Sequence, residues 1–316
     1  MGRYVAIDSP RMDALVSDVI RDVGREIDAL QIPRLRGVVL GGGYGRGEGG
    51  VFLDGENERL SNDLDFYVVA EDGVTSAEIA VIGESLAPVA KRWTDRLGID
   101  VDFCTAKTPW RLRHDQRRLM VQELLHGYVD VAGESGDSLF RTVERREPSD
   151  FPWTEAVRLL VNRGAGLLLA RESDDPAFVV RNLNKCVLGA GDAVLIARGA
   201  YRWKAVERAS ALGWKEYDAA VEWKFRPRRD GTCDRDTAQR IWLAAREEVM
   251  AQGRRSHAIR RSFYQAARWI ARRRTLGELR TIGMDAVVRI LRVMTDVIRE
   301  GKPFSAALRK DWLVFN

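Results

Sequence analysis

The sequence predicts an α+β chain in two parts: strands interleaved with helices over residues 1–148, and helices alone over 149–316. Three observations predict it. Short apolar, β-branched runs at 36–40, 64–70 and 99–105 alternate with helical patterns, whereas the periodic stretches after residue 152 are helical. A charged stretch over 145–152, containing Pro148 and Pro152, separates the two regimes. Charge divides at the same place. Residues 1–150 carry 19 Lys and Arg against 27 Asp and Glu, a net of −8, and the remainder carries 32 against 19, a net of +13.

A length of 316 residues is comfortable for two domains. With 45% hydrophobic and 31% charged residues, the composition excludes a disordered chain, a fibrous repeat and a disulfide-stapled miniprotein. No apolar run reaches the roughly 18 residues of a membrane span. Nor does an apolar segment follow Arg3, as a secretory leader would require. Cys104, Cys186 and Cys233 are far apart and odd in number, so they read as free thiols in a reducing compartment. The expectation is a cytoplasmic protein with no membrane partner.

The elements follow in order. Ser9-Pro10 suits an N-cap with proline in the first turn, and Met12, Leu15, Val16, Val19, Val23, Ile27 and Leu30 then recur at helical spacing. Residues 36–40 form a strand that ends in Gly41-Gly42-Gly43. Residues 64–70 read as a second strand, between turn residues at 61–63 and 72–73. A helix over 75–97 carries Ile79, Ile82, Leu86, Val89, Trp93 and Leu97 on one face, and 99–105 alternates as a third strand. A helix through Leu119, Val121, Leu124 and Leu125 and a short strand near 128–132 complete the first part. Beyond the linker, 153–170 and 176–197 are apolar on most sides, as at the centre of a bundle. Residues 239–252, 257–273 and 284–299 read as further helices, with loops at 227–231 and near Gly277.

Three features of the first part carry chemistry. The run Gly42-Gly43-Tyr44-Gly45-Arg46-Gly47-Glu48 directly follows a strand. Glycines there let the backbone approach a ligand, and successive N–H groups at a helix start cradle phosphate. Gly-rich turns after strands are common, so this feature is weak by itself. Asp63-Leu64-Asp65 enters a strand, where side chains two apart share a face. Two like charges projecting together are unfavourable unless a cation joins them; the alternative is a solvated strand end. Asp102 lies between Val101 and Phe103 on the next strand, and a carboxylate in an apolar run is costly unless paired or metal-bound. Three carboxylates converging from neighbouring strands make a hard oxygen cradle suited to Mg²⁺. Two such ions activate an attacking oxygen and stabilise leaving pyrophosphate in an in-line displacement.

Together these residues resemble the nucleotidyltransferases of the DNA polymerase β superfamily, over roughly residues 36–106. Gly42-Gly43 matches that family's Gly-Gly or Gly-Ser at the start of a short helix. Asp63 and Asp65 match its two acids spaced by one residue, and Asp102 its third acid on a later strand. The stretch 44–48 is similar to the Ala-Arg-Gly-Glu extension of minimal and aminoglycoside-type members. The gap from Gly43 to Asp63 is longer than the family usually shows, implying an inserted turn around Asp54-Gly55-Glu56-Asn57. The resemblance implies a nucleotidyltransferase-fold mixed sheet with flanking helices over 1–148, the catalytic domain, and a helical bundle domain over 149–316. It implies that Asp63, Asp65 and Asp102 are catalytic and hold two Mg²⁺ ions, with Asp102 nearest the acceptor hydroxyl as general base. Gly42, Gly43 and Tyr44 would line the triphosphate of an NTP, ATP being the first expectation. Arg46 joins them, unless it pairs with Glu48 and braces the loop.

In relatives of this architecture a basic residue of the helical domain reaches the β- or γ-phosphate. Lys185 is the candidate, on a helix where Arg181, Lys185 and Asp192 fall near one face; an ion pair of Lys185 with Asp192 inside the bundle is the alternative. Tyr201-Arg202-Trp203-Lys204 follows that helix, either to contact base or acceptor or to cap the bundle. From 226 to 274 there are 14 Arg against five acids, interleaved with Trp242, Phe263, Tyr264 and Trp269. That is the footprint of nucleic-acid contact; a solvated helix surface whose aromatics face the core is the blander reading. Only eight of the 51 basic residues are Lys, a bias that a GC-rich genome also produces. The expected activity is transfer of an NMP from an NTP to an acceptor hydroxyl, of a small molecule or protein in preference to RNA. The other class is a nucleotide- or RNA-binding module on an inactive scaffold of the same kind.

Overall fold

The computed structural model describes residues 2–55, 57–229, 233–271 and 284–315, with the side chains of 254–271, 284–286, 289, 314 and 315 left aside. Two compact units emerge: residues 1–147 with 222–228, and residues 148–221 with 229–316. Among the described residues strands occur only in the first, so the chain is α+β with a small mixed sheet. Among the described residues no helix is long and apolar enough to cross a membrane.

The first unit opens with α1 (Pro10–Leu30), whose N-cap Ser9 accepts the Met12 N–H through its Oγ at 3.2 Å. Then follow β1 (Leu35–Leu40), the single turn α2 (Gly42–Gly45), β2 (Val51–Asp54), β3 (Asn57–Leu60) and β4 (Leu64–Ala70). Next come α3 (Ser76–Leu97), β5 (Val101–Phe103), α4 (Pro109–His114), α5 (Leu119–Leu125), β6 (Val129–Gly133) and α6 (Gly136–Leu139). Thr75 and Glu78 close a capping box at the start of α3. Strand order is β5-β4-β1-β6, with β4–β5 parallel and the other pairs antiparallel. The inserted turn expected at 54–57 is the tip of a β2–β3 hairpin in which Asp54 pairs with Asn57.

The alternation of β4 divides the core. Leu64, Phe66, Val68 and Ala70 face the larger apolar cluster, built with α1 and α3. Tyr67 and Val69 face the second, with Val39, Leu112, Val121, Leu124, Leu125 and Phe140. Asp65 has the parity of Tyr67 and Val69. It therefore continues the second face just where the apolar cluster stops.

The second unit is helical: α7 (Trp153–Glu172), α8 (Pro176–Ala197), α9 (Ala205–Leu212), α10 (Lys215–Phe225), α11 (Arg235–Ala271), α12 (Met284–Arg299) and α13 (Ala306–Phe315). The last turn of α10 belongs to the first unit. Helix α7 packs on α8, α11 and α12, and α8 also meets α11 and α9. Their buried residues run round most of each helix, as expected for central positions. Helix α11 is continuous where the pattern suggests two helices. Gly253 does not break it, because a lone glycine costs only about 1 kcal/mol against alanine. Its missing Cβ would lie 2.2 Å from the Trp153 ring, so it is a packing glycine. The loop expected near Gly277 lies outside the described residues.

Candidate functional site

Parallel pairing of β4 with β5 sets Leu64 opposite Val101, Asp65 opposite Asp102 and Phe66 opposite Phe103. Residues directly opposite on paired strands present their side chains to the same face. Val101 and Phe103 go to the larger core, so Asp65 and Asp102 share the other face. Asp63 is two residues before Asp65 and has its parity. The carboxyl of Asp102 is held above its ordinary range, first by desolvation and then by the charges of Asp100 and Asp63.

The glycine turn abuts the same carboxylates. Gly41 donates its N–H to the Asp65 carbonyl at 2.9 Å, which hangs the start of α2 on β4. Gly42 has φ +61°, and a Cβ there would stand 2.2 Å from Asp65 Oδ2. Only glycine both adopts that conformation readily and leaves room for the carboxylate. A Cβ at Gly43 would make ordinary contact, 3.4 Å from the Glu48 carbonyl oxygen.

Tyr44 departs from its expected place. Its side chain is fully buried in the larger core, so only its main chain is available to line a ligand. Its hydroxyl donates to the Gly50 carbonyl (2.9 Å) and accepts the N–H groups of Ser61 (3.1 Å) and Asn62 (3.3 Å). Asn62 Oδ1 accepts the Gly50 N–H at 2.7 Å. Tyr44 thus ties the neck of the β2–β3 hairpin beside Asp63, and burial pushes its phenol up to about 12.

Arg46 takes the bracing alternative. Its guanidinium stands 3.8 Å from Glu48 Oε2 and 3.6 Å from Glu123 Oε2. Glu48 is only 4% exposed and also receives Lys224 Nζ at 2.8 Å. Two cations and two carboxylates therefore alternate under the glycine turn. Sequence reading missed Lys224, which is 176 residues from Glu48 and carries no local signal. Cys104, expected as a free thiol, is one, and burial followed by the charge of Asp65 pushes it up to about 11.

Lys185 lies in the other unit, half-buried on α8. Asp192 of that helix carries Arg208 at 2.9 Å and accepts the Tyr217 hydroxyl at 2.6 Å. Trp203 meets Phe151 and Tyr201 edge-on, as a bundle cap would. Trp242 is buried and donates its indole N–H to the Leu160 carbonyl, so it faces the core. The side chains of Phe263, Tyr264 and Trp269 lie outside the described set.

Among the described residues, no three His, Cys, Asp or Glu side chains are gathered closely enough to hold a metal ion as they stand. The donor chemistry nonetheless fits a hard divalent cation: carboxylates on one sheet face, one of them with its charge disfavoured first by burial and then by Asp100 and Asp63. No family model matches the chain, and no curated protein matches it.

Proposed function

We propose that the chain is a nucleotidyltransferase of the DNA polymerase β type, moving an NMP from ATP or another NTP to a hydroxyl of a small molecule or protein. The observation that carries this reading is the in-register pair Asp65 and Asp102, with Gly42 pressed against the Asp65 carboxylate. Asp63, Asp65 and Asp102 would hold Mg²⁺. When bound, Mg²⁺ neutralises the charge that develops between attacking oxygen and leaving pyrophosphate. Main-chain N–H groups at Gly42, Gly43 and Tyr44 would line the triphosphate, since the glycines put no side chain in the way. Asp102 would accept the proton of the acceptor hydroxyl as general base. The acceptor oxygen then bonds to the α-phosphorus, and the bond to pyrophosphate breaks. Arg46, through Glu48 and Glu123, holds the turn in place.

The test is transfer of α-labelled ATP by the full chain with Mg²⁺, resolved into small-molecule and protein fractions of an extract. Asp65→Asn and Asp102→Asn should each lower transfer at least about a hundredfold while leaving the chain folded. Near-normal transfer by either variant overturns the reading. ATP binding without transfer in the wild type favours instead a nucleotide-binding module on an inactive scaffold.

A further inference from the structure

The first unit is acidic as a whole, yet residues 107–118 are strongly basic. Lys107, Arg111, Arg113, Arg117 and Arg118 stand against Asp115 alone, a net of +4. A GC-rich genome does not explain such a concentration inside residues 1–150, whose net charge is −8. The segment spans α4 and the turn into α5. Asp115 takes two of these cations, Arg111 at 3.1 Å and Arg118 at 3.2 Å. Arg113 and Arg117 are exposed and form no ion pair among the described residues. The nearby acids are engaged as well: Asp72 Oδ1 accepts the Trp110 N–H, and Glu71 pairs with Arg34.

On this basic surface stands Trp110, 52% exposed. A tryptophan so exposed is unusual unless it meets a partner. Its ring lies 3.8 Å, centroid to centroid, from that of His114, and His114 Nδ1–H donates to the Trp110 carbonyl at 2.7 Å. The two rings are therefore a platform already set before any partner arrives. Met120 adds a further exposed apolar side chain, 43% accessible.

We propose that α4 and the start of α5 form a binding surface for single-stranded RNA, in which Trp110 stacks on an unpaired base and Arg113 and Arg117 contact the flanking phosphates. Phosphate charge complements the basic segment, and every base has a face to offer an aromatic ring. RNA presents unpaired bases in loops and ends, whereas a duplex keeps them stacked away. The start of α4 lies away from the carboxylates. Asp72, which holds the start of α4, is seven residues beyond Asp65, on the order of 20 Å at strand rise. The inference does not depend on the transfer reaction.

Anisotropy of a fluorescein-labelled 12-nucleotide oligouridine with the full chain at 50 mM salt tests it. Wild type should bind the single strand at least tenfold more tightly than the same strand annealed to oligoadenosine. Trp110→Ala should weaken binding about tenfold. Arg113→Gln with Arg117→Gln should reduce the slope of log affinity against log salt by about 1.4. All three side chains are exposed, so the variants should keep the wild-type melting temperature. Equal affinity for the duplex, unchanged affinity in both variants, or no binding at 50 mM salt overturns the proposal, the last leaving the surface to a protein partner. Loss of binding only on combined substitution of Arg260, Arg261 and Arg268 overturns it too, in favour of the basic helical region.

Discussion

Asp65 and Asp102 stand directly opposite each other across the parallel β4–β5 pair, with their side chains on one face of the sheet. Burial of Asp102 and the nearby charges of Asp100 and Asp63 disfavour its ionised form. The fold therefore accepts a cost at this point, as functional sites commonly do.

That cost is measurable through pH. Desolvation, Asp100 and Asp63 raise the Asp102 carboxyl above its ordinary value. A carboxyl raised on folding favours the folded chain while protonated, and this contribution is lost as pH rises through the raised value. Asp102→Asn should therefore be more stable than wild type at pH 7 in EDTA, and the difference should vanish by pH 3. Asp102 is exposed, so solvent screening keeps the gain below about 1 kcal/mol. Thermal melts at the two pH values check it; a variant less stable than wild type at pH 7 contradicts it.

Adjacent glycines should respond differently. Gly43→Ala makes only ordinary contact with the Glu48 carbonyl, so it should fold normally and lose ATP affinity alone. Gly42→Ala must hold φ +61° and displace Asp65, which costs at least about 1–3 kcal/mol. Urea unfolding with calorimetric ATP titration separates the two. Unchanged ATP affinity in Gly43→Ala would show the turn to be structural only.

Removing one oxygen from Tyr44 tests the hairpin neck. Tyr44→Phe removes the partner of the Asn62 N–H and leaves the Ser61 N–H and the Gly50 carbonyl with only their mutual bond at 3.2 Å. A loss of about 1–3 kcal/mol is expected. Faster amide exchange should be confined to 50–62. Wild-type exchange there would mean that the hydroxyl is dispensable.

Lys224 and Glu48 should be coupled. Lys224→Met takes the ammonium at 2.8 Å from the buried Glu48 carboxylate, at a cost of about 3 kcal/mol. Adding Glu48→Gln should restore most of it. A double-mutant cycle in urea that returns less than about 0.5 kcal/mol of coupling would show the pair to be incidental.

Local pattern was enough for much of the chain. Ser9-Pro10 with its apolar stripe, the alternation of 64–70 and the all-round apolar 176–197 determined α1, β4 and α8, because helix and strand periods are written in neighbouring residues. The shared face of Asp63 and Asp65 was legible for the same reason. A turn inserted around 54–57 was expected from the sequence, but the β2 and β3 strands that flank it were not. Only the tertiary structure decided the rest. Register between β4 and β5, which sets Asp65 against Asp102, depends on how two separated strands meet. The burial of Tyr44 and the reach of Lys224 to Glu48 depend on the packing of distant segments, and no local period encodes them. Trp110 shows the limit most simply. In sequence it is one apolar residue in a basic segment, and its exposure was decided when Leu112, not Trp110, entered the core beside Val69.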